Sequence, residues 1–236
     1  MPPLPSNRPL LPTECDLLVL HARLHCEDAK WSNALEQILD VFPARLQERI
    51  RRQRRVENRC AQILDKLLLL GALALWGVQD ATLDNLSYDS CGRPSMEEGI
   101  DFSLSHSGGS VVCATGTAGR VGIDVEKVRE IRIQDFASVF AARSWLRIQS
   151  AERSTDAFFR EWTQLEAVLK ADGRGLRNDA ALVESDGRRA YLSSRCWYLH
   201  EVVINDEYAC CVAGSLEDPR IIVRACEWDG RELQIL

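Results

Sequence analysis

Six residues carry the first chemical signal, Val121-Gly122-Ile123-Asp124-Val125-Glu126. Their apolar and polar members alternate, so Val121, Ile123 and Val125 share one face of a strand and Asp124 and Glu126 the other. Two steps along a strand cover about 6.5–7 Å, within which two carboxylates can reach one ion. Like charges so placed repel unless a cation lies between them. A set of hard oxygen donors suits magnesium, which commonly keeps water or phosphate as further ligands. The same alternation also fits an edge strand with an acidic solvent face.

A second segment runs from Phe158 to Leu176. Phe158, Trp162, Leu165 and Leu169 recur at helical spacing, and Glu166 and Lys170 stand four apart on the edge of that stripe. They can serve a site together or form a surface ion pair. Gly173 supplies the expected stop. A third segment, Phe102-Ser103-Leu104-Ser105-His106-Ser107-Gly108-Gly109, ends a strand in hydroxyls, an imidazole and a Gly-Gly loop. Such a strand end can cradle a phosphate, or can be ordinary turn chemistry around an exposed histidine. Ser105 and His106 are neighbours on a strand and point to opposite faces, which argues against a nucleophile pair.

Elements of both periods are needed to position these groups. Alternation from Cys15 to Leu24 predicts a strand; Trp31 to Leu39 and Pro43 to Trp76 predict helices, the second weakened by Gly71 and stopped by Gly77. Asp84 to Gly99 is rich in turn residues. Three short strands are expected at Phe102–Ser105, Val111–Thr115 and Val121–Glu126, with glycine-rich hairpin loops between them. A helical region from Ile133 to Gly173 follows. Further strands are expected at Ala180–Val183, Ala190–Ser193, Trp197–Ile204 and Tyr208–Ala213. The order describes an α+β protein of two similar-sized halves.

Composition narrows the function. The net charge is −6, yet Arg45, Arg49, Arg51, Arg52, Arg54, Arg55 and Arg59 crowd one segment. That pattern fits a local anionic partner or a solvated helix face, and it does not fit a general nucleic-acid binder. The nine cysteines form no Cys-x-x-Cys pair, and reduced, mostly buried thiols are expected. The longest apolar run, Leu67 to Trp76, is too short to cross a bilayer. The opening residues read as a short Pro-rich arm without signal-peptide order. A cytoplasmic monomer that binds neither membrane nor nucleic acid is expected.

Taken in order, the three segments and Gly92-Arg93-Pro94 resemble the Sfp/EntD-type 4′-phosphopantetheinyl transferases. That family shows a Gly-Lys/Arg-Pro element, a Ser-His-Ser/Gly strand end, a Gly-Ile-Asp-Ile/Val-Glu strand and a Trp-x-x-Lys-Glu-Ala-x-x-Lys-x-x-Gly-x-Gly-Leu helix. The likeness extends from about Leu17 to Leu233. It implies a pseudo-dimer of two related α+β halves with the active site in the cleft between them. Residues 1–118 would form the half that binds coenzyme A, and residues 119–236 the half with the metal site and the docking surface for the carrier. It implies magnesium, or manganese, on Asp124, Glu126 and Glu166. Lys170 and Asp124 would act at the coenzyme A phosphates, with Glu166 as the base. Arg93, Ser105 and His106 would hold the nucleotide end of coenzyme A, and Arg45 and Arg59 its 3′-phosphate.

The implied reaction is attack by a serine of an apo acyl or peptidyl carrier protein on coenzyme A. The pantetheine arm moves to the serine, and adenosine 3′,5′-bisphosphate leaves. The serine belongs to the partner, which agrees with the want of an internal nucleophile set in this sequence. Two departures from the family pattern stand out: Leu165 where a lysine is usual, and Ser144 where a glutamate is frequent. Trp145, Leu146 and Arg147, close to the second departure, are the expected contacts for an acidic helical carrier. Other classes that could hold these residues are a magnesium-dependent nuclease or phosphohydrolase, and a non-catalytic binder of coenzyme A or carrier.

Overall fold

The structure, a computed structural model, describes residues 11, 14–96, 99–174 and 180–236. The arm before Leu11, and Gly175 and Leu176 of the helix motif, lie outside the described residues. The chain is a mixed α+β protein. It runs β1 (Leu17–Arg23), α1 (Ala29–Ile38), α2 (Ala44–Arg51), α3 (Val56–Leu75), β2 (Ser87–Tyr88), β3 (Pro94–Ser95), β4 (Asp101–Ser107), β5 (Ser110–Gly116) and β6 (Val121–Lys127). After these come α4 (Ala142–Ser150), α5 (Ser154–Asp172), β7 (Glu184–Ser185), β8 (Arg189–Leu192), β9 (Arg195–Glu201), β10 (Tyr208–Gly214), β11 (Ile221–Trp228) and β12 (Leu233–Ile235).

Two five-stranded sheets form, in the orders β12-β11-β1-β5-β4 and β6-β10-β9-β8-β7. The second is antiparallel throughout, whereas β1 pairs with β11 in parallel. The boundary expected at 118/119 falls where the chain passes from one sheet to the other. The last two strands nevertheless return to the first sheet.

Strand alternation explains how the sheets stack. Leu18 and Leu20 of β1 face the cluster built on α3, while Leu17 and Val19 face the other way. There they meet Val112 and Ala114 of β5, Val121, Ile123 and Val125 of β6, and Val212 of β10. The three apolar residues expected on one face of β6 thus bury themselves between the sheets, which leaves Asp124 and Glu126 to the opposite side. Helix α5 packs over that side of β6 and β10. A third layer of apolar residues joins α5 to α4 and to β8 and β9.

Several expectations need correction. The helix expected from Pro43 to Trp76 is two helices, α2 and α3, with a break at 52–55. Arginines at 51, 52, 54 and 55 would face one another at spacings of three and four in a continuous helix, and that repulsion favours the break. Gly71 does not weaken α3; a Cβ there would stand 3.2 Å from Leu233 Cδ2, so the helix uses it to lie close on β12. Residues 133–173 fold as a 3₁₀ stretch (Ile133–Val139) followed by α4 and α5. Ala180–Leu182 is a 3₁₀ turn and not a strand. Strands β11 and β12 were not expected. None of the nine cysteines forms a disulfide, and most are buried.

Candidate functional site

Gly122 sets the geometry of the site. A Cβ built on it would stand 2.0 Å from Ala167 O and 2.5 Å from Ala171 N, both backbone atoms of α5. Only glycine allows the helix to lie directly on β6 at this level. The consequence is that Lys170, one turn after Glu166, reaches the strand. Its Nζ donates to Asp124 Oδ1 (2.7 Å), Ser105 Oγ (2.9 Å) and Ile123 O (3.1 Å). Three donors meet three acceptors, so the ammonium is fully satisfied. Helix α5 then stops at Gly173, whose φ of 91° is left-handed.

Strand β4 lies beside β6, each at the edge of its own sheet, and side chains join them. Alternate residues of β4 face across. Asp101 Oδ2 accepts from Val121 N (2.7 Å) and Ser103 Oγ accepts from Ile123 N (3.0 Å). Ser105 Oγ donates to Asp124 Oδ1 (2.8 Å). Ser107 Oγ donates to Glu126 Oε2 (2.6 Å) and accepts from Lys127 N (3.3 Å). This ladder aims both carboxylates of β6. Leu104 and His106, on the other face of β4, line the pocket described next.

An open pocket of about 420 Å³ gathers residues from α2, α3, β4, β6 and α5. Asp124, Glu126, Glu166, Lys170, Ser105 and His106 all line it. Among the described residues, no three His, Cys, Asp or Glu side chains converge closely enough to form a metal centre. Lys170 pairs with one of the carboxylates, at Asp124 Oδ1. Asp124 is buried, and its Oδ2 has no hydrogen-bond partner. Burial, then the neighbouring Asp124 and Glu126, raise the Glu166 carboxyl to about 7 against the pull of Lys170. Burial and Asp124 also raise Glu126, with Ser107 opposing. Two acids held where their charge is disfavoured, beside a third with an unpartnered buried oxygen, are arranged to receive positive charge.

The basic wall of the pocket differs from the expectation. Arg45 does not line it; its guanidinium donates to Asp84 O and Leu86 O, both at 2.5 Å. Arg59 is also turned away, donating to Glu36 Oε1 (2.7 Å) and Gln53 O (3.1 Å). Arg49 and Lys66 line the pocket instead. Arg49 stacks over the Tyr88 ring at 3.9 Å, and Lys66 Nζ donates to Asp65 Oδ1 (2.5 Å). Burial raises the Asp65 carboxyl, with Lys66 the main opposing influence. A signal for Lys66 existed in the sequence, since Asp65-Lys66 is a charged pair inside the apolar run of α3. Arg49 had no comparable mark among seven arginines.

Arg93, expected at the nucleotide, lines not this pocket but an adjoining one of about 250 Å³, with Gly92, Pro94, Leu104 and Lys170 common to both. Arg147, expected on a free docking surface, is engaged. Its guanidinium donates to Glu161 Oε1 (2.6 Å) and Oε2 (2.7 Å), to Ser185 O (2.9 Å) and to Ser144 Oγ (3.0 Å). Trp145 stacks on Phe140, and only Leu146 of that trio is largely exposed. Ser144 therefore accepts from an arginine at the position where the family often carries glutamate. Leu165 is buried in the core of the second sheet.

Residues 120–213 match the model of the 4′-phosphopantetheinyl transferase superfamily. The chain is 33% identical over 141 residues to 4′-phosphopantetheinyl transferase HetI of Nostoc sp., covering 53% of this chain and 58% of that protein. It is 36% identical over 87 residues to 4′-phosphopantetheinyl transferase gsp of Aneurinibacillus migulanus, covering 36% of each. It is 26% identical over 145 residues to 4′-phosphopantetheinyl transferase Sfp of Bacillus subtilis, covering 60% of this chain and 64% of that protein. The chain thus spans less than two thirds of the length of each of these three relatives. The matched segment includes β6 and α5, and the family resemblance read from the motifs is borne out.

Proposed function

We propose that this chain, whose residues 120–213 match the model of the 4′-phosphopantetheinyl transferase superfamily, moves the phosphopantetheine arm of coenzyme A to a serine of an apo acyl or peptidyl carrier protein. One observation carries the reading: a single pocket opposes the carboxylates of Asp124, Glu126 and Glu166 to Lys170, Lys66 and Arg49. A polyphosphate bound with a divalent cation satisfies both walls; a neutral substrate satisfies neither.

Asp124, Glu126 and Glu166 would hold magnesium, or manganese. The unpartnered Oδ2 of Asp124 and the all-oxygen donor set support that assignment. When bound, the metal supplies neutralising charge at the pyrophosphate. Lys170, anchored on Asp124, presents a cation to the same phosphates. Arg49 and Lys66 take the role of 3′-phosphate ligands in place of Arg45 and Arg59, because they face the pocket. Ser105 positions Asp124, and His106 faces the nucleotide end. Glu166 accepts the proton of the attacking serine hydroxyl. Adenosine 3′,5′-bisphosphate leaves.

The two sheets, each carrying one long helix, support a pseudo-dimer of related halves with the pocket in the cleft between them. In that reading the first half recovers β11 and β12 from the end of the chain. No described helix is long and apolar enough to cross a membrane, and we assign the chain to the cytoplasm as a monomer. The test is release of adenosine 3′,5′-bisphosphate from coenzyme A by the protein with magnesium. The reading expects release only when an apo-carrier is present. Release without a carrier points to a hydrolase and refutes it.

A further inference from the structure

Arg93 is the one residue of the Gly-Arg-Pro element that turns inward. Its Nη2 donates to Asp101 Oδ2 (2.5 Å) and to Val121 O (3.3 Å), and its Nε donates to Lys170 O (3.0 Å). Asp101 Oδ2 also accepts from Val121 N (2.7 Å). The arginine side chain is 11% exposed and that of Asp101 22%. One guanidinium therefore ties together the last turn of α5, the start of β6 and the start of β4.

The tie points matter. Lys170 O belongs to the residue whose ammonium grips Asp124, and Val121 lies three residues before Asp124 on β6. The last carbonyls of a helix lack intrahelical partners, and a cation placed there is favoured by the helix dipole. Arg120 adds a similar contact, donating to Asp172 O at 2.7 Å.

We propose that Arg93 and Asp101 are positioning residues, a clamp that fixes α5 on β6 and so sets Glu166 and Lys170 against Asp124 and Glu126. This rests on the proposed transfer reaction, and it differs from the expectation that Arg93 holds coenzyme A. The clamp needs the planar fork of arginine, because acceptors on three elements are bridged at once; a lysine offers a point charge. A phosphate ligand, by contrast, tolerates lysine.

Arg93→Lys, Asp101→Asn and the double variant Arg93→Leu/Asp101→Asn separate the two roles. The double variant removes both charges and keeps the test available should a single variant fold poorly. Steady-state transfer to an apo-carrier is measured with coenzyme A varied. A displaced catalytic group costs on the order of ten- to a hundredfold in rate. The clamp therefore predicts kcat down by about tenfold or more in Arg93→Lys and in Asp101→Asn. It also predicts a KM for coenzyme A within about threefold of wild type, and a double variant no worse than the singles. Wild-type kcat in Asp101→Asn, or a tenfold higher KM with kcat kept in Arg93→Lys, overturns it. If the wild-type protein modifies no carrier, the transfer reading has failed and the clamp is judged by amide hydrogen exchange at residues 169–173. Faster exchange there in both single variants supports it, and unchanged exchange overturns it.

Discussion

Replacing Glu166 by glutamine removes a carboxyl that the fold holds in an unfavourable place. In the metal-free protein its pKa stands at about 7, against an ordinary 4.5. The unfolded chain releases this proton near 4.5 and the folded chain near 7. Below both values the group does not affect stability. As pH rises between them the folded state keeps the proton longer, so stability falls, and above 7 the full penalty applies. At about 1.4 kcal/mol for each pH unit, the penalty is about 3 kcal/mol. Glutamine cannot ionise and escapes it, at the cost of about 1 kcal/mol for an amide without partners. Urea unfolding of both proteins with chelator present, at pH 5 and pH 8, measures the difference. The amide cost is the same at both pH values and cancels in the comparison, so Glu166→Gln should gain about 2.5 kcal/mol on wild type between them. Adding magnesium at pH 8 should then stabilise wild type more than the variant. If the variant gains nothing between pH 5 and pH 8, burial and the neighbouring carboxylates do not hold Glu166 above its ordinary range and the electrostatic account of the site is wrong.

Three further outcomes are expected. Gly122→Ala forces the backbone of α5 off β6, since the new Cβ would overlap Ala167 O; a loss of about 2–3 kcal/mol and of coenzyme A binding should appear in thermal melts, and an unchanged melt refutes the contact. Arg147→Glu sets a carboxylate against buried Glu161, so it should cost about 3–5 kcal/mol of stability; an undisturbed melt with weakened carrier modification would restore Arg147 as a docking residue. Arg49→Ala should weaken coenzyme A binding about tenfold by calorimetry, while Arg59→Ala, already paired with Glu36, should change it by less than about twofold; the reverse order would return the 3′-phosphate to Arg59.

Much of the site is written in short-range periodicity. Alternation at 121–126 places Asp124 and Glu126 on one face because the neighbours at 121, 123 and 125 must be buried between sheets. Spacing of four brings Glu166 and Lys170 to one face of α5. The polar positions 101, 103, 105 and 107 face β6 for the same period-two reason, though the motif marks a role only for Ser105. What failed depends on distance along the chain. β11 pairs with β1 from the opposite end of the sequence, and Arg224 and Glu227 interrupt its apolar pattern. Which arginine of 45–59 reaches the pocket follows from the break between α2 and α3, a tertiary outcome. Arg147 looked like a free cation because its partner Glu161 lies fourteen residues on.

Intact-mass spectrometry of an apo-carrier incubated with coenzyme A, magnesium and this protein tests the central claim most directly. The account predicts that the carrier gains one phosphopantetheinyl group on its serine. It also predicts that the gain disappears with chelator and in Asp124→Ala and Lys170→Ala. A carrier of unchanged mass across acyl and peptidyl carriers, with the protein folded and coenzyme A bound, would contradict it.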